Sequence, residues 1–199
     1  MRNLLLSVVV VMCAFVLGRV SGQDVEPSCE MCPSVHVPAD EIQAYAEVGR
    51  ESGRVDQQVR SIDIGKVNVQ VAVAHRGQLD APRPGSVAEH DLVTEVYYVL
   101  SGAGTTLTGP DLDDKRRRLP DNRAVQFLNG PGNNAAAIRN GVVTALVPGD
   151  VFVIPAGTGH QFTKIESHIT YLMVRVDPDK MVPLMDAAAS EAYLADAGR

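Results

Sequence analysis

The 199-residue chain has no tryptophan and only 5% aromatic residues. So few flat side chains argue against a stacking platform for single-stranded nucleic acid. Positive charge is also short, with Lys+Arg 18 against Asp+Glu 24 and a formal charge of −6. The one short basic run is Lys115-Arg116-Arg117-Arg118, whereas a general nucleic-acid binder needs a positive face to neutralise phosphates. Three cysteines are too few for a disulfide-framed miniprotein, and a chain of this length buries a core without such staples. The longest apolar run, residues 4–17, falls short of the roughly 20 residues of a spanning helix, so no stable membrane span is expected. Charged residues at 21% and hydrophobic residues at 45% argue against collagen-like and charge-driven disordered chains.

The N-terminus stands apart from the rest. Met1-Arg2-Asn3 is a short positive start, residues 4–17 are apolar except for Ser7, and Val20-Ser21-Gly22 supplies small residues before Gln23. This is the three-part pattern of a secretory signal peptide over residues 1–22; an uncleaved anchor is the alternative, and Arg19 speaks against it. The expectation is an exported protein, periplasmic or extracellular, made more acidic by the loss of Arg2 and Arg19. Cys13 lies in the leader, which leaves Cys29 and Cys32 as C-E-M-C. In an oxidising compartment these most simply form a local disulfide; a redox pair, or a soft metal site completed by His36, are the alternatives.

Residues 23–58 read as an N-terminal arm followed by one short helix, with Ile42, Tyr45, Ala46 and Val48 at helical spacing behind Asp40 as cap. From residue 59 to 178 the period changes to two. Val67, Val69, Val71 and Val73 alternate with Asn68, Gln70, Ala72 and Ala74, the mark of a strand with one buried face. Further β-rich runs lie at 92–100, 141–147, 151–154 and 169–176, separated by Gly, Pro and Asn clusters. The pattern predicts an all-β sandwich or barrel. Residues 179–199 form a tail or terminal helix carrying Leu184, Met185, Ala188 and Leu194. The charge-dense segment 111–122, acidic and then basic, reads as a self-neutralising solvated loop, and Gly130-Pro131-Gly132 as a turn rather than a phosphate cradle.

Two blocks carry chemistry. The first runs from Ala88-Glu89-His90 through Glu95 to Gly102; the second from Gly149 through Pro155 and Gly157 to His160. Together they resemble the two motifs of the cupin superfamily, H-x-H-x(3,4)-E-x(6)-G and G-x(5)-P-x-G-x(2)-H-x(3)-N. His90, Glu95, Gly102, Gly149, Pro155, Gly157 and His160 match in kind and order. The resemblance covers most of the chain after the leader. It implies a double-stranded β-helix, the cupin jelly-roll barrel, and a possible homodimer.

The residues themselves fit that reading. Two imidazoles and a carboxylate suit a divalent transition metal such as Fe, Mn, Ni, Cu or Zn, and leave positions for water, dioxygen or a chelating ligand. Each histidine is expected to pass its second ring proton to an acceptor. Separately satisfied core polar residues are the alternative. Two motif positions depart from the pattern: Ala88 replaces the first histidine and Lys164 the closing asparagine. A methyl cannot coordinate, so His90, Glu95 and His160 hold the ion with an extra water, or another residue fills the gap, or metal binding is lost. His75 is the candidate fourth ligand, because it continues the parity of Val67 to Val73; an ordinary strand-end histidine is the alternative. Ala88, Tyr97 and Tyr98 are expected to line the pocket. No G-x-S-x-G elbow competes. Two functions follow: a metal-dependent enzyme on a small organic molecule, with oxidoreductase or dioxygenase chemistry, or a non-catalytic small-ligand binder with a degenerate site.

Overall fold

The computed structural model describes residues 26–197, so the expected leader, residues 1–22, lies outside the described residues. The chain divides into two units, Met1–Cys32 and Pro33–Arg199. In the first, Cys29 and Cys32 are paired as a disulfide with their Cα atoms 5.7 Å apart.

The second unit is built on strands β1 (Asp56–Asp63), β2 (Asn68–Leu79), β3 (Val87–His90), β4 (Thr94–Gly102), β5 (Gly104–Gly109), β6 (Leu112–Asp113) and β7 (Arg116–Arg117). They are followed by β8 (Gly132–Ala135), β9 (Ala137–Ile138), β10 (Val142–Leu146), β11 (Val151–Ile154) and β12 (Gly159–Asp177). The long strand β12 serves two sheets. Its C-terminal part lies between β2 and β4, which gives the order β1-β2-β12-β4-β11. Its N-terminal part lies between β5 and β3, which gives β10-β5-β12-β3-β8-β7. Every pairing is antiparallel, and the register of β12 shifts in its middle, where it passes from one sheet to the other. Two sheets joined in this way are a double-stranded β-helix, as expected.

Between the sheets lies the main core, formed by Ala72, Ala74, Tyr97, Phe162, Ile169 and Tyr171 with their neighbours. The valines at 67, 69, 71 and 73 point the other way. Val73 packs outward with Val59 against Tyr45 and Ala46 of helix α1 (Ala39–Ser52), where Tyr193 and Leu194 of helix α3 (Ala187–Ala197), which follows the short helix α2 (Arg123–Phe127), join them. Tyr45 stacks on Tyr193 with ring centroids 5.3 Å apart and bonds Ser190 Oγ at 2.9 Å. Full burial of side chains of this size contributes about 1.5–3 kcal/mol each. Helix α1 starts at Ala39 behind Pro38, so Asp40 sits inside the first turn, favouring the helix dipole, rather than at the cap. Gly53, at φ 69°, closes it in the left-handed conformation.

Strand β1 begins at Asp56, and its polar sequence hid it from hydrophobic periodicity. Gln57, Gln58, Arg60 and Ser61 are all buried there because three of them find partners: Arg60 pairs with Glu41, Gln58 bonds Gln70, and Gln57 accepts from Tyr193. Gly102 ends β4 at φ 71°, and a Cβ there would lie 2.0 Å from the His168 carbonyl oxygen, so no other residue fits.

Candidate metal centre

Strand alternation and two tight turns assemble the site. His90 ends β3 and Glu95 begins β4 after a short turn, and the Pro155-Ala156-Gly157 turn, with Gly157 at φ 79°, returns the chain so that β12 carries His160 beside them. Ala88 is the register partner of His160 across the β3–β12 pair. One ligand atom from each of His90, Glu95 and His160 lies within 4.8 Å of the others, and all three residues are buried. His90 Nε2 is 3.7 Å from Glu95 Oε1, and His160 Nε2 is 3.5 Å from Glu95 Oε2. A single ion with bonds of about 2.0–2.2 Å spans such separations.

The carboxylate is held from several sides. Glu95 Oε1 accepts from Asn129 Nδ2 at 2.7 Å and from Arg175 Nε at 3.0 Å, and Oε2 accepts from the Tyr97 hydroxyl at 2.8 Å. Both lone pairs of Oε1 are therefore engaged, while Oε2 keeps one free on the His160 side. Arg175, fully buried, also bonds Gln58 Oε1 at 2.9 Å and pairs with Asp56. Burial alone would raise the Glu95 carboxyl, but the positive charge around it and the Tyr97 hydrogen bond hold it well below the usual carboxylate range. Burial pushes the Tyr97 hydroxyl well up, so it remains a donor to Glu95.

The two histidines differ. The Nδ1 atom of His160 faces the Thr158 carbonyl at 3.2 Å, so it carries the proton and Nε2 presents a lone pair. The Nδ1 atom of His90 instead faces Arg118 Nη1 at 3.3 Å. A guanidinium only donates, so this bond places the His90 proton on Nε2, on the side of Glu95. The expected hand-off of the second ring proton thus holds at His160 and is reversed at His90. Burial keeps both imidazoles neutral: the His90 pKa falls to about 3 and that of His160 is also lowered, each against the pull of Glu95.

Three expectations need correction. His75 is not a fourth ligand: sharing the outward parity of Val73, it bonds Thr170 Oγ1 at 2.8 Å and stacks on His168 with centroids 5.8 Å apart. Tyr98 does not line the pocket, because it alternates with Glu95 and Tyr97 and faces outward, 46% exposed. The 111–122 segment is more than a solvated loop, since Arg118 reaches the site and Lys115 lies 3.4 Å from buried Glu89. Ala88 and Tyr97 do line the cavities. Sequence reading missed Arg118, Asn129, Arg175 and Asp56. Arg175 did leave a signal, because Ile169, Tyr171, Met173 and Arg175 share one parity, and a charge on an inward-facing parity marks a polar interior.

The strand order is that of a double-stranded β-helix, the fold that the motif resemblance implies. No protein-family model matches the chain, and no curated protein matches it. Among solved structures, a protein from Bacillus halodurans is 14% identical over 84% of this chain and 98% of its own, with a TM-score of 0.40. A cupin protein from Bacteroides fragilis is 19% identical over 59% and 72%, with a TM-score of 0.33. A Klebsiella pneumoniae protein with a double-stranded β-helix domain is 16% identical over 65% and 85%, with a TM-score of 0.34. Likenesses of this degree assign no role to any residue.

Proposed function

We propose that the protein is an exported cupin that holds a divalent transition metal between His90, Glu95 and His160 and binds or transforms a small organic molecule beside it. The observation that carries this reading is the convergence of the three residues at the wall of a cavity of about 210 Å³, which shares lining residues with a second of about 530 Å³. His160 Nε2 and Glu95 Oε2 are presented for coordination as they stand, and His90 joins when its proton moves to Nδ1. When bound, such a metal would supply Lewis-acid polarisation or dioxygen activation to a chelating substrate, the basis for an oxidoreductase or dioxygenase activity.

The chain's own groups have defined tasks. Asn129, Arg175 and Tyr97 fix the carboxylate, so the Tyr97 proton is committed to Glu95 and serves orientation. Ala74, Leu128 and Met173 form the apolar part of the small cavity and limit water there. The small side chain of Ala88 leaves room beside His160 for a water or a substrate atom. Export rests on the pattern of residues 1–22 and suits the Cys29–Cys32 disulfide. Among the described residues no helix is long and apolar enough to cross a membrane. A homodimer belongs to the same proposal, through the outer face of β4 and β11, where Tyr98, Leu100, Val151 and Val153 are exposed.

A second reading, a ligand-binding barrel without catalysis, is favoured by one feature: Arg118 on His90 and Arg175 on Glu95 hold the triad without an ion. Metal analysis of the protein recovered from the exported fraction separates the two. A stoichiometric transition metal that disappears in His160→Ala is the expected result. A folded, metal-free protein that takes up no added divalent ion would overturn the metal reading.

A further inference from the structure

The larger cavity has a property that the metal site does not explain. Its charged lining residues are Arg50, Arg76 and Arg83, with no aspartate or glutamate among the residues that line it. Arg50 is ion-paired with Glu47, and Arg83 is exposed. Arg76 is different: it is partly buried, lines both cavities, and has no carboxylate oxygen within 4.0 Å among the described residues. Its guanidinium is nonetheless fixed. Arg76 Nε donates to the Tyr171 hydroxyl at 2.9 Å, and Cζ lies 5.0 Å from the centroid of the Phe162 ring. Those contacts use the inner nitrogen and one face, and leave both terminal nitrogens without a protein partner among the described residues. Asp56 acts on Arg76 only through space, beyond 4.0 Å, and is bonded to Arg175 through Oδ2, while its Oδ1 has no hydrogen-bond partner among the described residues.

A partly buried cation without a directly bonded counterion is costly, and a planar fork with both terminal nitrogens free matches a carboxylate in shape as well as charge. The walls beside it are apolar, with Leu79, Ile154, Phe162 and Ile165, and the cavity volume suits a small organic molecule. His160 lines this cavity and the metal-site cavity alike. We infer that the larger cavity receives a small organic carboxylate whose anionic group is held by the terminal nitrogens of Arg76, with its apolar body against Phe162 and Ile165 and its remaining end toward His160. The inference names the substrate class for the site proposed above and rests on that reading for the chemistry, though not for the binding.

Calorimetry on the full chain tests it with two acids, benzoate and hexanoate, each against its neutral amide, with the protein metal-stripped and then metal-loaded. At least one acid is expected to bind about tenfold or more tightly than its amide in both states, the preference a charge-assisted hydrogen bond supports. Arg76→Gln should abolish that preference and Arg83→Gln should keep it. Arg76→Lys, which retains the charge and loses the fork, should weaken the preference without abolishing it, and it serves if Arg76→Gln does not fold. Equal binding of acid and amide by the metal-stripped protein would overturn the inference while leaving the metal reading intact. So would a preference that appears only with metal and survives Arg76→Gln, because the ion would then be the anchor. Tighter binding of inorganic phosphate than of either acid would overturn the carboxylate assignment.

Discussion

The two cavities share Arg76, Ala88, Tyr97 and His160, yet they settle their charges in opposite ways. Around the smaller one, Arg175 is bonded to the lining residues Glu95 and Asp56 and to Gln58, and Arg118 is bonded to His90, Asn134 and the Asn133 carbonyl. Arg76, which carries the free charge of the larger one and also lines the smaller, has two terminal nitrogens without a protein partner among the described residues. The first is organised by the protein itself, as suits a constellation that must keep its geometry before anything binds. The second is left to be completed from outside. A network closed on itself contributes order, whereas an open cation contributes affinity for whatever supplies the missing charge.

The sharpest way to break this comparison is Arg175→Met. It leaves Glu95 without its cation inside the barrel and should destabilise the protein by about 3–5 kcal/mol in denaturant unfolding. A loss below about 1 kcal/mol would mean that the inner network does not depend on that ion pair. Arg76→Gln, which removes a cation with no carboxylate partner, should change stability by less than about 1 kcal/mol in the same measurement.

Metal affinity gives the next effect. Arg118→Met frees His90 Nδ1, lets the ring proton leave Nε2, and should tighten divalent-metal binding by about tenfold in a competition titration, the scale of outer-shell changes. Unchanged affinity would mean that the Arg118–His90 bond does not set the tautomer.

Acidification probes the same inner region. His90 is neutral in the folded protein down to a pKa of about 3, against an ordinary value of 6.5. Between those values the unfolded chain takes up a proton that the folded chain refuses. Stability of the metal-free protein should therefore be complete above about pH 6.5 and fall as the pH drops toward 3. Denaturant unfolding across that range should show a shallower slope in His90→Gln. The smallest effect is expected at His75, where His75→Ala should change metal affinity less than about twofold, since its ring is bonded to Thr170 and stacked on His168 and is not among the clustered ligand residues.

Much of this molecule was legible from residue order. Alternation marked β2, β-rich runs between turn residues marked β4, β10, β11 and the end of β12, and the motif spacing marked His90, Glu95 and His160 as candidate ligands. Strand β1 was hidden because its buried residues are glutamine and arginine, which periodicity counts as exposed. His75 was placed correctly on the valine face, but sequence could not say that this face meets helices α1 and α3 rather than the barrel interior.

Local chemistry dictated the strands, the turns at Gly102 and Gly157, and three candidate ligands with an alanine where the motif has a histidine. Tertiary structure alone decided what surrounds them. Arg118 comes from a loop that looked self-neutralising, Asn129 from the segment before β8, Arg175 from the last strand and Asp56 from the first. Side chains so distant along the chain meet only because β12 joins two sheets around one interior, and their charges interact through a buried medium in which every pairing counts. Whether a histidine offers a lone pair or a proton is decided there, by the neighbour that faces its other nitrogen.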